Sequence, residues 1–262
     1  MDNKRRTFLK FAGVAAAVGA GSAVPGPLRA AYAPEQEQYR QDKDALTAKR
    51  WGLVIDTRKF TSDKDIERCI EACHSVHNVP EQPLPKPKQE IKWIWTDHFE
   101  HVFPSSHNPY LAERVEHTDF LLLCNHCDDP PCVRVCPTKA TFQREDGIVH
   151  MDFHRCIGCR YCMAGCPFGA RSFNFCDPVP YIKEKNEDFP TRMRGVVEKC
   201  NFCVERLEEG LLPACVEAAP EGAMVFGDLS DPNSQIRKVL REEFSIRRKV
   251  ELGTNPSVFY IV

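Results

Sequence analysis

Fourteen cysteines are the residues of this 262-residue chain best able to do chemistry. In Cys156-x2-Cys159-x2-Cys162-x3-Cys166-Pro167, three closely spaced thiolates can wrap three iron corners of a cubane cluster while the fourth reaches a neighbouring cluster. Gly158 gives that loop the backbone freedom to bend. Structural zinc sites draw on separated Cys or His pairs, so a three-plus-one run points to iron and sulfide. Cys124-x2-Cys127-x4-Cys132-x3-Cys136-Pro137 is the same arrangement with two extra residues before its third cysteine, and Asp129-Pro130-Pro131 fills the enlarged loop. His126 lies inside that loop, but four thiolates suffice without it, which leaves it a supporting or surface position. Two sparser groups remain, Cys69-x3-Cys73 and Cys200-x2-Cys203-x11-Cys215-x3-Ala219.

The elements that must hold these cysteines follow an internal repeat. Cys136-Pro137 leads into Thr138-Lys139-Ala140, Cys166-Pro167 into Phe168-Gly169-Ala170, and Ala219-Pro220 into Glu221-Gly222-Ala223. Each proline stops a short helix, and each turn starts an apolar strand ending in Phe. The fold class expected is α+β, of tandem bacterial-ferredoxin type, with the body beginning near Arg50. Trp51 to Asp56 reads as a strand, and Asp65 to His77 as a helix with Ile66, Cys69, Ile70 and Cys73 on one face. Four prolines between Pro80 and Lys88 make an extended connection into an insertion of about 80–118. Its Trp93, Trp95, Phe99, Phe103 and Tyr110 are expected mostly to form a small satellite core, with the surface around Trp93, Trp95 and Tyr110 as a candidate docking face.

If the two complete runs fold against each other as in a two-cluster ferredoxin, Cys124, Cys127, Cys132 and Cys166 hold one cluster. Cys156, Cys159, Cys162 and Cys136 then hold the next. With its two damaged outer motifs, the chain from Arg50 to Val262 resembles the four-cluster electron-transfer subunits of respiratory molybdoenzyme and polysulfide-reductase complexes. That resemblance implies two nested ferredoxin pairs whose first and last motifs exchange fourth ligands. Counting on that basis, one cluster would need cysteines at Asp63, Ile66 and Ala219 and keeps only Cys69. Its reciprocal keeps Cys200, Cys203, Cys215 and Cys73. Twelve cysteines then make three [4Fe-4S] clusters, with Cys69 and Cys176 left over.

More narrowly, Arg155 to Pro167, Val197 to Cys203 and the ending Leu252-Gly253-Thr254-Asn255-Pro256 are similar to the DsrO group of exported subunits, from the DsrMKJOP complex of dissimilatory sulfite reduction. The resemblance implies a polytopic, quinone-interacting membrane subunit and a multihaem cytochrome c as partners. A subunit of another quinone-linked complex would look nearly the same.

Residues 1–33 supply the compartment. Lys4-Arg5-Arg6-Thr7-Phe8-Leu9-Lys10 precedes an Ala/Gly-rich apolar stretch from Phe11 to Val24, which resembles a twin-arginine export signal. That stretch is shorter than the roughly 20 residues a spanning helix needs. Ala31-Tyr32-Ala33 has the form of a cut site, although Pro34 is a poor residue to follow one. The periplasm is therefore the expected location. Formal charge is -2 overall. Without residues 1–33, which carry five Lys/Arg and one Asp, 30 basic residues face 36 acidic ones, giving -6 and excluding nucleic acid as an expected partner. No G-x-G-x-x-G, P-loop or nucleophile elbow appears, so an electron relay with no small-molecule substrate of its own is favoured. Its rivals are an enzyme acting at an incompletely ligated cluster and a disulfide-stapled secreted protein.

Overall fold

Six consecutive buried residues, Trp51–Asp56, form β1 at the interior of a four-stranded sheet. In the computed structural model, which describes residues 43–81, 84 and 89–262, that sheet has the order β8-β1-β10-β9. The export signal and its candidate cut site lie outside the described residues. β1 runs antiparallel to β8 (Met224–Asp228) and parallel to β10 (Val258–Ile261), which in turn pairs antiparallel with β9 (Ser245–Ile246). Both faces of β1 are covered, as a near-continuous apolar run requires. Val54 and Ile261 pack on Ile236 of a late helix (Gln235–Glu242), while Leu53, Ile55, Val258 and Tyr260 face the main core with the cysteines.

The first α-helix among the described residues, α1, spans Asp63–Val76 and starts two residues earlier than expected. A capping box explains this: Ser62 and Asp65 satisfy each other's orphan groups at the helix start. Cys69 and Cys73 are its buried residues, with Ile66 and Ile70 half-buried beside them. The insertion holds β2 (Ile94–His98), α2 (Phe99–Val102) and α3 (Glu113–Glu116), and β3 (Asp119–Leu123), just beyond it, pairs antiparallel with β2.

The satellite core expected for the insertion does not exist as a separate body. Trp93, Phe99 and Phe103 are buried within the main core, and Phe103 and Phe120 both pack on Tyr260 of β10 with ring centroids 5.8 Å apart. The proposed docking face fails for the same reason. Trp93 is 1% exposed and its indole N–H donates to Glu198 at 2.8 Å, Trp95 is half-buried, and only Tyr110 stands out in solvent.

The repeat appears as three identical corners. Lys139, Gly169 and Gly222 adopt left-handed φ of 55°, 67° and 67°. The alanine after each is buried, and a strand follows: β4 (Thr141–Gln143), β6 (Ser172–Phe173) and β8. β4 pairs with β5 (Val149–Met151) and β6 with β7 (Val197–Glu198). Ahead of the corners sit one-turn helices, α4 (Pro131–Arg134), α5 (Tyr161–Ala164) and α7 (Ala214–Ala218), while α6 (Val204–Glu208) follows Cys203. No described helix is long and apolar enough to cross a membrane.

Candidate iron-sulfur centres

In each of the three motifs that keep a Cys-x-x-Cys segment, the residue before the second cysteine turns left-handed: His126 at φ 39°, Gly158 at 68° and Phe202 at 58°. That reversal is what lets a Cys-x-x-Cys segment curl around one point instead of running on as helix. In the first motif, the corresponding positions 63–66 form the opening turn of α1. The chain there has exchanged a wrapping loop for a regular helix. Asp63 is exposed, Ile66 and Ala219 are half-buried, and Cys69 is fully buried.

The thiols converge in three groups. Cys124, Cys127, Cys132 and Cys166 lie within electrostatic reach of one another, and burial together with these neighbours pushes the Cys127 thiol up to about 12. Cys73 on α1 meets Cys200, Cys203 and Cys215 around an apolar cavity that is also lined by Leu53, Ile94 and Phe226. Burial holds all four thiols of this group above the ordinary cysteine value, Cys200 at about 12. Cys136, Cys156 and Cys162 share a smaller apolar cluster into which Cys132 also packs, and Cys159, three residues before Cys162, is exposed. At Cys136 the shift is downward: despite partial burial, which raises its pKa, hydrogen bonds from the Thr141 N–H at 3.4 Å and from the Thr138 side chain and backbone pull its thiol down. Neighbouring groups touch electrostatically, Cys132 with Cys162 and Cys124 with Cys200, so the three form a row.

Several observations show that iron–sulfur clusters fit these groups. All fourteen cysteines are free of disulfides and so have their sulfurs available as ligands. Eight of the twelve grouped thiols are buried where a charged thiolate without a metal would be costly. Buried cations lie among them. Burial lowers the Arg171 pKa, but Cys132, Cys162 and Cys124 outweigh it and raise the guanidinium above its ordinary value, and its Nη2 has no partner. Lys199 is 2% exposed and donates to the carbonyls of Val149 and, at 2.6 Å, Cys200. Positive charge this deep is stabilised by anionic neighbours, and a thiolate-bound cluster is one.

Sequence reasoning missed Arg171 and Lys199, although each adjoins a motif: one directly follows Ala170, the other directly precedes Cys200. It also left His126 as a possible surface residue. His126 is buried, stacks on Phe202 with centroids 3.7 Å apart, and accepts the Val149 N–H at Nδ1 (3.1 Å). His77, Cys203 and Glu205 also gather ligand atoms within 4.8 Å, but Cys203 already belongs to the third thiol group. Cys176 is half-buried, and the buried Cys69 lies within electrostatic reach of Cys215 at the edge of the third group.

Residues 116–229 match the family described as a 4Fe-4S dicluster domain. The chain is 41% identical to the Hdr-like menaquinol oxidoreductase iron-sulfur subunit 1 of Archaeoglobus fulgidus, over 98% of this chain and 97% of that protein. It is 35% identical to a tetrathionate reductase subunit of Salmonella typhimurium, over 100% and 89%. The menaquinone reductase iron-sulfur cluster-binding subunit of Nitratidesulfovibrio vulgaris is also 35% identical, over 81% and 88%. These relatives are electron-transfer subunits and not the catalytic subunits of their complexes. With the α+β ferredoxin-type body and its grouped thiols, the chain belongs to the family of 4Fe-4S dicluster iron–sulfur subunits of oxidoreductase complexes.

Proposed function

We propose that this chain relays electrons through three [4Fe-4S] clusters between a polytopic, quinone-interacting membrane subunit and a multihaem cytochrome c, as a DsrO-type subunit in dissimilatory sulfur metabolism. The mature protein works on the periplasmic face of the membrane after twin-arginine export. The observation that carries the relay is the row of thiol groups, open at one end: Cys159 is exposed, whereas every thiol of the Cys73 group is buried. When bound, each cluster supplies one-electron chemistry at a potential tuned by charge and exposure. The residues supply the rest. Cys124, Cys127, Cys132 and Cys166 would hold the middle cluster, Cys136, Cys156, Cys159 and Cys162 the outer one, and Cys73, Cys200, Cys203 and Cys215 the inner one. Arg171 and Lys199 offset their negative charge. Exposed Ile157 and Tyr161 beside Cys159 offer an apolar contact where a partner's redox group can approach the outer cluster.

Two relatives with menaquinol or menaquinone in their names support the quinone partner. Full-length similarity to a tetrathionate reductase subunit favours a second reading, a subunit of another quinone-linked oxidoreductase. Purification from detergent-solubilised membranes separates these readings by the subunits that accompany the chain. Recovery with both a membrane subunit and a haem protein is expected, and a soluble monomer that reduces a small molecule unaided would overturn the relay. Anaerobic analysis should find about twelve irons per chain. Cys73→Ser should lower that count, while Cys69→Ser and Cys176→Ser leave it intact.

A further inference from the structure

Cys73 is the one thiol of the inner group that does not come from the 200–215 segment, and α1 delivers it without a cluster of its own to anchor the helix. Something else must fix the end of α1. The free carbonyls there are capped from a distant stretch of chain. Arg192 donates to the carbonyls of His77 and, at 2.8 Å, Asn78. Asn186 donates to the Val76 carbonyl at 2.8 Å, and Asn78 donates back to the carbonyls of Asn186 (2.8 Å) and Phe189 (2.6 Å). A guanidinium at a helix C-terminus also opposes the partial negative charge of the exposed carbonyls.

Arg192 is itself held from the other side. Its Nε donates to Glu198 at 2.7 Å, with both side chains fully buried. Glu198 also accepts from the Trp93 indole at 2.8 Å and from Asn174, so all its partners are fixed. Glu198 sits two residues before Cys200, and His77 four residues after Cys73. One guanidinium therefore ties together the two chain segments that supply the inner thiol group.

Resting on the ligand assignment above, we propose that Arg192, locked by Glu198, is the positioning residue that keeps Cys73 in place, performing the anchoring that a cluster on the first motif would provide. Lysine cannot reproduce its fork, because reaching Glu198 and two carbonyls at once needs the planar, multi-donor geometry of arginine.

The test uses the full chain, purified anaerobically, as wild type, Cys73→Ser, Arg192→Met and Arg192→Lys. The readouts are iron per chain, the electron paramagnetic resonance of three-iron forms after brief oxidation, and the midpoint potential of each cluster. Arg192→Met should reproduce the Cys73→Ser signature at one cluster and leave the other two unchanged. Arg192→Lys should fold and show the same defect more weakly, as faster loss of one iron on oxidation. If Arg192→Met does not fold, the lysine variant alone decides. A lysine variant with wild-type iron, oxidation rate and potentials would overturn the proposal. So would loss spread equally over all three clusters, which marks a general folding role. If Cys73→Ser itself leaves every cluster intact, the ligand assignment fails and not the clamp alone.

Discussion

Placing cysteines at 63, 66 and 219 should not create a fourth cluster. With Cys69, the triple variant Asp63→Cys, Ile66→Cys, Ala219→Cys would carry four thiols at motif spacing. Positions 63, 66 and 69 lie on one continuous helix, however. At about 1.5 Å rise and 100° per residue, the first and third are spread about 9 Å along the axis and turned about 120° around it. The wrapped loops avoid that spread by turning left-handed before the second cysteine, at His126, Gly158 and Phe202. Imposing the same turn on α1 means losing the Ser62–Asp65 box, worth about 0.5–2 kcal/mol. It also places Asp65 in a left-handed conformation at about 1–2 kcal/mol. The sum, roughly 1.5–4 kcal/mol, disfavours the wrapped form by about one to three orders of magnitude, at about 1.4 kcal/mol per tenfold. Anaerobic iron and sulfide analysis should therefore still find about twelve irons in the triple variant. Adding Asp65→Gly removes half of the box and frees the left-handed turn, and should raise the count. A triple variant that reaches about sixteen irons unaided would refute the helix argument.

Gly158→Val should abolish the outer cluster, lowering iron to about eight, because Gly158 has φ 68° and an added Cβ would meet the Gly195 carbonyl and the Phe173 ring. Gly169→Ala, at φ 67° with open space around it, is the control and should keep all its iron. The Cys69 thiol, pushed by burial from an ordinary 9.0 to about 11, should carry about 100-fold less thiolate at pH 8 and alkylate at least that much more slowly. Its rate should rise about tenfold per pH unit up to about pH 11, and rapid labelling at pH 8 in folded protein would contradict the burial. Replacing Arg5 and Arg6 together by lysine should strand the protein in the cytoplasm, and fractionation showing normal export would rule out the twin-arginine route.

What was legible in the sequence is what local geometry dictates. The reach of a cubane fixes the spacing of its thiols, and a corner that turns left-handed favours Gly169 and Gly222 before a small buried residue, although Lys139 takes the same turn. The buried run at 51–56 announced a strand for the same reason. The start of α1 could also have been read, since Ser62 and Asp65 form a visible capping pair. Contacts across long stretches of chain were not legible. Nothing near Trp93 names Glu198 or Arg192 as its partners, and nothing near Phe103 or Phe120 names Tyr260 as the ring that draws both inward. Arg171 and Lys199 were hidden by the ordinary rule that cations face water, which reverses where anionic groups lie inside.

The parallel pairing of β1 with β10 has a consequence for how the molecule is made. A ribosome delivers the chain from its N-terminus, and domains fold as their residues emerge. The thiols from Cys124 to Cys166 are close in sequence and can gather early. Cys73 must wait for the segment ending at Cys215, and β1 lacks its parallel neighbour until Val258–Ile261 arrives, about 200 residues later in the chain. Non-local closure of this kind is the slow step of folding. A stalled or truncated product would hold two thiol groups and leave Leu53, Ile55 and the inner cavity open to solvent. The fold thereby reports whether translation has passed Ile261, and chains stopped before it display an apolar face that proteases and chaperones can recognise.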